Sequence, residues 1–126
     1  MFRSMLYVDI NNICKAYENF ARKILENDIK NEGNSLAHIF NVYYPEPITI
    51  IELAEIAKEA IIKYSKGKIR PEINVVNTGQ PRMFNKSDKN LIKVDASKAV
   101  NFLEIEKLKS PKESMEDITR SRISDN

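Results

Sequence analysis

Few side chains in this 126-residue chain have the type and spacing to do chemistry. His38 is the one histidine, and no second histidine or cysteine stands near it, so it does not suggest a metal site. The single cysteine, Cys14, excludes an internal disulfide and any multi-cysteine zinc site. Set between Ile13 and Tyr17 in a helical pattern, it is expected to be a small buried apolar residue. Glycine occurs three times, at Gly33, Gly67 and Gly79, and no two are close enough to build a phosphate-cradling loop. What is left is the polar stretch of residues 78–90, which carries Pro81, Arg82, Lys86 and Asp88. A connection of that length is either mobile or functional.

The elements that must position these residues follow from periodicity. The clearest is a helix over residues 49–64. Thr49 caps it, and Glu52 three positions on completes a capping box. Ile50, Leu53, Ala54, Ala57, Ala60, Ile61 and Tyr64 form one apolar stripe, opposite Glu52, Glu55, Lys58, Glu59 and Lys63. Gly67 ends it. Its expected partner is the segment just before it, residues 39–42, and a Glu59–Lys63 pair is expected on its outer face.

Residues 5–8 read as a strand, followed by a helix capped by Asp9 or Asn11 that carries Ile13, Tyr17, Phe20 and Ile24 to about Asn27. Residues 27–34 read as a loop, residues 36–42 as a second strand, and residues 43–47 as a turn stiffened by two prolines. Residues 69–76 suggest an edge strand despite Pro71. A helix is expected from Ser97 to about Leu103, with Asp95 and Ser97 as its caps. A last one is expected to be capped by Ser114, with Asp117 three positions on, and to end near Ile123. The fold class is α/β, mixed and helix-rich, and the 126 residues make one domain or part of one.

Twenty basic against eighteen acidic residues leave a net charge of +2, too weak to argue for nucleic acid or an anionic membrane surface. No run approaches the apolar length of a transmembrane span. The first ten residues are short on apolar length and include Asp9, unlike a secretory signal. A soluble cytoplasmic protein is the expectation.

Four stretches, in order, resemble the C-terminal part of the extended short-chain dehydrogenases/reductases, the NAD-dependent nucleotide-sugar epimerase and dehydratase group. RSMLYVDINNICKAY, from Arg3, is similar to that family's Arg-Asp-Phe-Val-Tyr-Val-Asp-Asp segment and its following helix. IFNVYYPEPITIIELAE resembles its Phe-Asn-(Val/Leu)-Gly and Ser/Thr-Ile-x-Glu-Leu-Ala stretches, with Tyr43 and Tyr44 where a glycine is preferred. IKVDASKAVNFL resembles Asp-x-Ser-Lys-Ala-x-x-x-Leu, and SPKESMEDI resembles the closing Pro-x-x-Ser-Leu-Glu-Glu-Gly.

The resemblance implies a substrate-binding portion that closes over a UDP- or dTDP-sugar. NAD(P) and the catalytic Tyr-x-x-x-Lys belong to the family's N-terminal Rossmann half. That half is absent from this sequence, so the chain is expected to be a truncated, single partial domain over residues 1–126, with no cofactor and no catalytic residue of its own. Arg3 matches the arginine that contacts the nucleotide phosphates, where a guanidinium fork suits an anion. Asp88 falls on a family aspartate, but Asn85 stands where the second phosphate arginine belongs, so Arg82 or Lys86 is expected to supply that charge. Asn41 is expected to fix a neighbouring loop. Tyr64-Ser-Lys-Gly-Lys68 satisfies the catalytic spacing literally, yet Gly67 ends the helix between the two residues, and the pair is not expected to act.

Two further readings stay open: a stand-alone binding or regulatory subunit that pairs with a separate Rossmann protein, and a small α/β interaction domain. The fragment reading carries a physical corollary. Apolar surface and strand edges that a Rossmann half would cover are expected to be exposed, and to invite a partner or self-association.

Overall fold

Helix α1 (Ile10–Leu25) starts where Asp9, in an extended conformation, turns its carboxylate back onto the Asn11 amide at 2.8 Å. The computed structural model of the chain describes residues 4–26, 39–76, 79, 86–92 and 95–124. The inner face of α1 is unusual. Its buried residues are Asn12, Ala16 and Asn19, at helical spacing, so two amides sit where aliphatic side chains would ordinarily pack. Both amides are satisfied, Asn12 by distant backbone and Asn19 by distant backbone together with the Arg22 side chain. Asn12 donates to the Lys107 carbonyl at 2.7 Å and accepts from the Lys109 amide at 2.9 Å. Asn19 donates to the Leu103 carbonyl at 2.6 Å and accepts from Arg22 at 2.7 Å. The segment after the third helix is therefore held along α1 by hydrogen bonds from buried side chains, which removes the cost of burying those amides unpaired.

Strand β1 (Ser4–Met5) pairs antiparallel with β2 (Ile48–Thr49), Ser4 opposite Thr49 and Met5 opposite Ile48. This two-residue ladder is much shorter than the strand expected over residues 5–8, and no ladder forms along residues 39–42 or 69–76 among the described residues. Apolar alternation marks a residue as strand-compatible, but a strand needs a neighbouring backbone, and these segments find none among the described residues. Residues 36–38, with His38, lie outside the described residues, as do residues 27–34.

Helix α2 (Ile50–Tyr64) has the expected capping box. The Glu52 amide donates to Thr49 Oγ1, and Glu52 Oε2 receives the Thr49 amide at 2.9 Å. It ends in a Schellman turn, with the Gly67 amide on the Ile62 carbonyl at 2.8 Å and the Lys66 amide on the Lys63 carbonyl at 3.2 Å. The left-handed residue before the glycine is Lys66, at φ 53°. The partner of α2 corrects the expectation. It packs against α4 (Pro111–Ser124), while Phe40 and Val42 pack against the core of Ala16, Ala99, Leu103 and Ile105. Lys63 accordingly reaches across to Glu116 at 3.0 Å rather than pairing with Glu59.

The start of α4 is a second correction. Ser110 and Glu113 form its capping box, with Pro111 in the first turn, where its missing amide costs nothing. Ser114 is buried and bonds to Asp9 instead. Helix α3 (Ser97–Phe102) forms where expected, but its N-cap is Ala96, which makes no side-chain cap bond, and not Asp95 or Ser97; Asp95 accepts from the Ser97 amide at 2.8 Å just before it. A 3-10 helix (Lys86–Leu91) occupies the end of the long polar connection.

The core gathers Ala16, Ala99, Leu103 and Ile105, with Phe20, Phe40, Val42, Phe102 and Leu108 packed against it. The chain is mixed and helix-rich, and no described helix is long and apolar enough to cross a membrane.

Candidate functional site

Of the residues expected to grip a nucleotide, Arg3 and Arg82 lie outside the described residues. Lys86 begins the 3-10 helix, with its side chain outside that description, and Asp88 is half-buried in the same turn. What the fold brings together is the 3-10 helix and the start of α2. The Lys89 ammonium donates to Glu52 Oε1 at 2.6 Å. The Glu52 carboxylate is thus divided: one oxygen caps α2 and the other holds Lys89. The hydrogen bond from Lys89, then that from the Thr49 amide, hold the Glu52 carboxyl down to about 2. Glu113 repeats the arrangement, held to about 2 by Lys107 and then by the Ser110 amide.

These carboxylates decide what the helix ends can do. An unoccupied helix N-terminus attracts phosphate. Here α1 opens on Asp9, α2 on Glu52 and α4 on Glu113, each already bonded to its own first turn. A pyrophosphate at any of the three would meet a negative charge. Gly67 follows a helix instead of opening one. The described residues therefore do not fit a nicotinamide dinucleotide in the family's manner. Nor does any group of three or more His, Cys, Asp or Glu among the described residues have the spacing to hold a metal ion.

Tyr64 and Lys68 are separated by the end of the helix, as the sequence implies. The Tyr64 hydroxyl donates to Glu116 at 3.4 Å, and the Lys68 amide donates to the Ser65 carbonyl within the terminal turn.

A second feature is an apolar groove of about 240 Å³, lined by Ile13, Ala16, Tyr17, Phe20, Phe40, Val42 and Leu103. Phe40 is its pivot. Its ring stacks on Phe102 at 4.9 Å and meets Phe20 edge-on at 5.9 Å. The Lys98 ammonium lies 4.9 Å over the Phe40 ring and donates to the Ile39 carbonyl. Beside the groove, Tyr17 is 73% exposed and Ile10 69%. Cys14 is exposed on the same helix, which overturns the expectation that it is buried: the buried face of α1 falls on Asn12, Ala16 and Asn19.

The backbone of Phe40, Asn41 and Val42, next to the groove, makes no hydrogen bond among the described residues except through its neighbours, Ile39 to Lys98 and Tyr44 to the Tyr7 carbonyl at 2.6 Å. Asn41 is exposed and fixes no described loop. Tyr43 is buried, and its hydroxyl donates to the Asp95 carbonyl at 3.0 Å, so it packs and does not cover a ligand.

Sequence reasoning missed Lys89 and the two buried asparagines. Lys89 carries no local signal, but Asn12 and Asn19 stand seven apart on the helix face that includes Ala16, and that spacing was legible. No family model matches this chain, and comparisons with curated proteins and with solved structures give no match.

Proposed function

We propose that this chain is the substrate-shaping, C-terminal portion of an NAD-dependent nucleotide-sugar epimerase or dehydratase of the extended short-chain dehydrogenase type. It contributes part of a UDP- or dTDP-sugar pocket and does not catalyse alone. The cofactor and the catalytic tyrosine and lysine come from a Rossmann half, joined to it or separately supplied. The ordered motifs support the reading. The observation that carries it is that Phe40–Val42, beside the apolar groove on α1, makes no backbone hydrogen bond among the described residues. A segment that joins no ladder among the described residues, flanked by half-buried aromatic rings, is what a sheet leaves behind when its neighbouring strands belong to another unit.

The test is reconstitution. The chain is mixed with a Rossmann-half protein, NAD and a UDP- or dTDP-sugar. Turnover is expected only when both proteins are present, and Arg3→Ala lowers it. Interconversion of sugar nucleotides by the chain alone, or tight NAD binding by it, overturns the reading. So does sugar-nucleotide binding that is indifferent to Arg3.

A further inference from the structure

Helix α1 carries an apolar seam on its outer side. Its inward face is Asn12, Ala16 and Asn19. Ile10, Cys14, Tyr17, Ala21 and Ile24 are all exposed. At about 100° of turn per residue, the two sets stand on opposite sides of the helix. The outer set is spaced by four and three in alternation, which is the heptad seam of a coiled coil. It runs about 21 Å from Ile10 to Ile24.

The sizes along the seam say what covers it. Ile10, Tyr17 and Ile24 stand one heptad apart and are large; Cys14 and Ala21 between them are small. A parallel pair of such helices would crowd Tyr17 onto Tyr17 and leave a gap between two Ala21 residues. An antiparallel pair sets each large residue against a small one, which fills the space at interior density. Charge follows the same rule. One flank of the seam carries Lys15, Glu18 and Arg22, all exposed. A reversed second copy brings its Arg22 beside Glu18, and two-fold symmetry makes that contact twice. The face is complementary to itself, as a closed two-fold dimer requires.

We propose that α1 is a dimerisation helix: two copies of this chain pair antiparallel along it, Cys14 opposite Ile24 of the second copy and Tyr17 opposite Ala21. This register also covers Leu25, which is 82% exposed. The groove lies on the Ile13 and Phe20 flank of the same helix, and the pairing does not depend on the sugar-nucleotide reading.

The test is the association state of the full chain in reducing buffer, by sedimentation velocity over a concentration series. The unaltered chain is expected to be a dimer that dissociates on dilution. Ala21→Glu is expected to weaken it roughly tenfold or more, with helix content unchanged by circular dichroism. Ile24→Cys reads the direction. A copper-phenanthroline oxidant is expected to couple that variant into a covalent dimer through Cys14 of the second copy. The unaltered chain is expected to stay uncoupled, because its two Cys14 residues stand about 15 Å apart along the seam. A monomer at every concentration overturns the proposal; if Cys14 is then shielded from alkylation only by an added Rossmann-half protein, the seam belongs to that partner. A dimer that Ala21→Glu leaves unweakened overturns it too. Unaltered chains that couple through Cys14 as readily as Ile24→Cys overturn the antiparallel pairing.

Discussion

The Ser114 hydroxyl donates to Asp9 Oδ2 at 2.5 Å, across 105 positions of sequence. Asp9 Oδ1 meanwhile caps α1 through the Asn11 amide. A residue that begins the first helix is thus also the residue that holds the last one in place. Burial pushes the Asp9 carboxyl up, but the bonds from Ser114 and Asn11 and the nearby Lys109 charge together bring it below its ordinary value.

Asp9→Ala removes a helix cap and leaves the Ser114 hydroxyl, 1% exposed, without its partner. The expected loss is about 2–3 kcal/mol, from roughly 1 for the cap and 1–2 for the stranded hydroxyl. Ser114→Ala alone costs about 1–2 kcal/mol. Urea denaturation of the two single variants and the double variant checks this: the double variant loses less than the sum, because both substitutions break the same bond.

Acid weakens the fold through Glu52. Its folded pKa is about 2, against an ordinary value of 4.5. The stability it contributes is therefore fully present above pH 4.5 and is lost as the pH falls from there through about 2. Because the side chain is 38% exposed, solvent screening reduces the contribution to about 1 kcal/mol. Glu52→Gln keeps an acceptor for the Thr49 amide and loses the ion pair. It is expected to be about 1 kcal/mol less stable at pH 7 and to flatten the acid limb of a stability–pH curve.

Lys66 occupies a left-handed conformation, φ 53°, at the end of α2. A side chain there costs roughly 1 kcal/mol relative to glycine. Lys66→Gly is expected to raise stability by about 0.5–1 kcal/mol, read as a higher thermal midpoint with unchanged helix content by circular dichroism.

Phe40→Ala removes the ring that touches Phe20, Phe102 and Lys98. Phe40 is only half-buried, so the loss is expected at about 2 kcal/mol, below the range for a fully buried phenylalanine. An environment-sensitive apolar dye is expected to bind the unaltered chain at the groove. A covering partner unit should displace it, and fluorescence titration reads the displacement.

What the sequence by itself determined about this chain is local. Asp9 and Thr49 as caps, the Glu52 capping box, the turn at Gly67 and the helix from Ser97 all rest on contacts within a few residues, so residue type and spacing suffice for them. The same local rule failed at α4, where Ser110–Glu113 and Ser114–Asp117 both fit a capping pattern and Pro111 favours the earlier start. Only the tertiary structure decided that α2 lies on α4, that Asn12 and Asn19 point inward, that Cys14 faces solvent, and that Lys89 finds Glu52. Those outcomes depend on which distant backbone carbonyl or charge arrives at a given face. Residues 95 positions apart, such as Asn12 and Lys107, leave no trace of each other in the spacing of either neighbourhood.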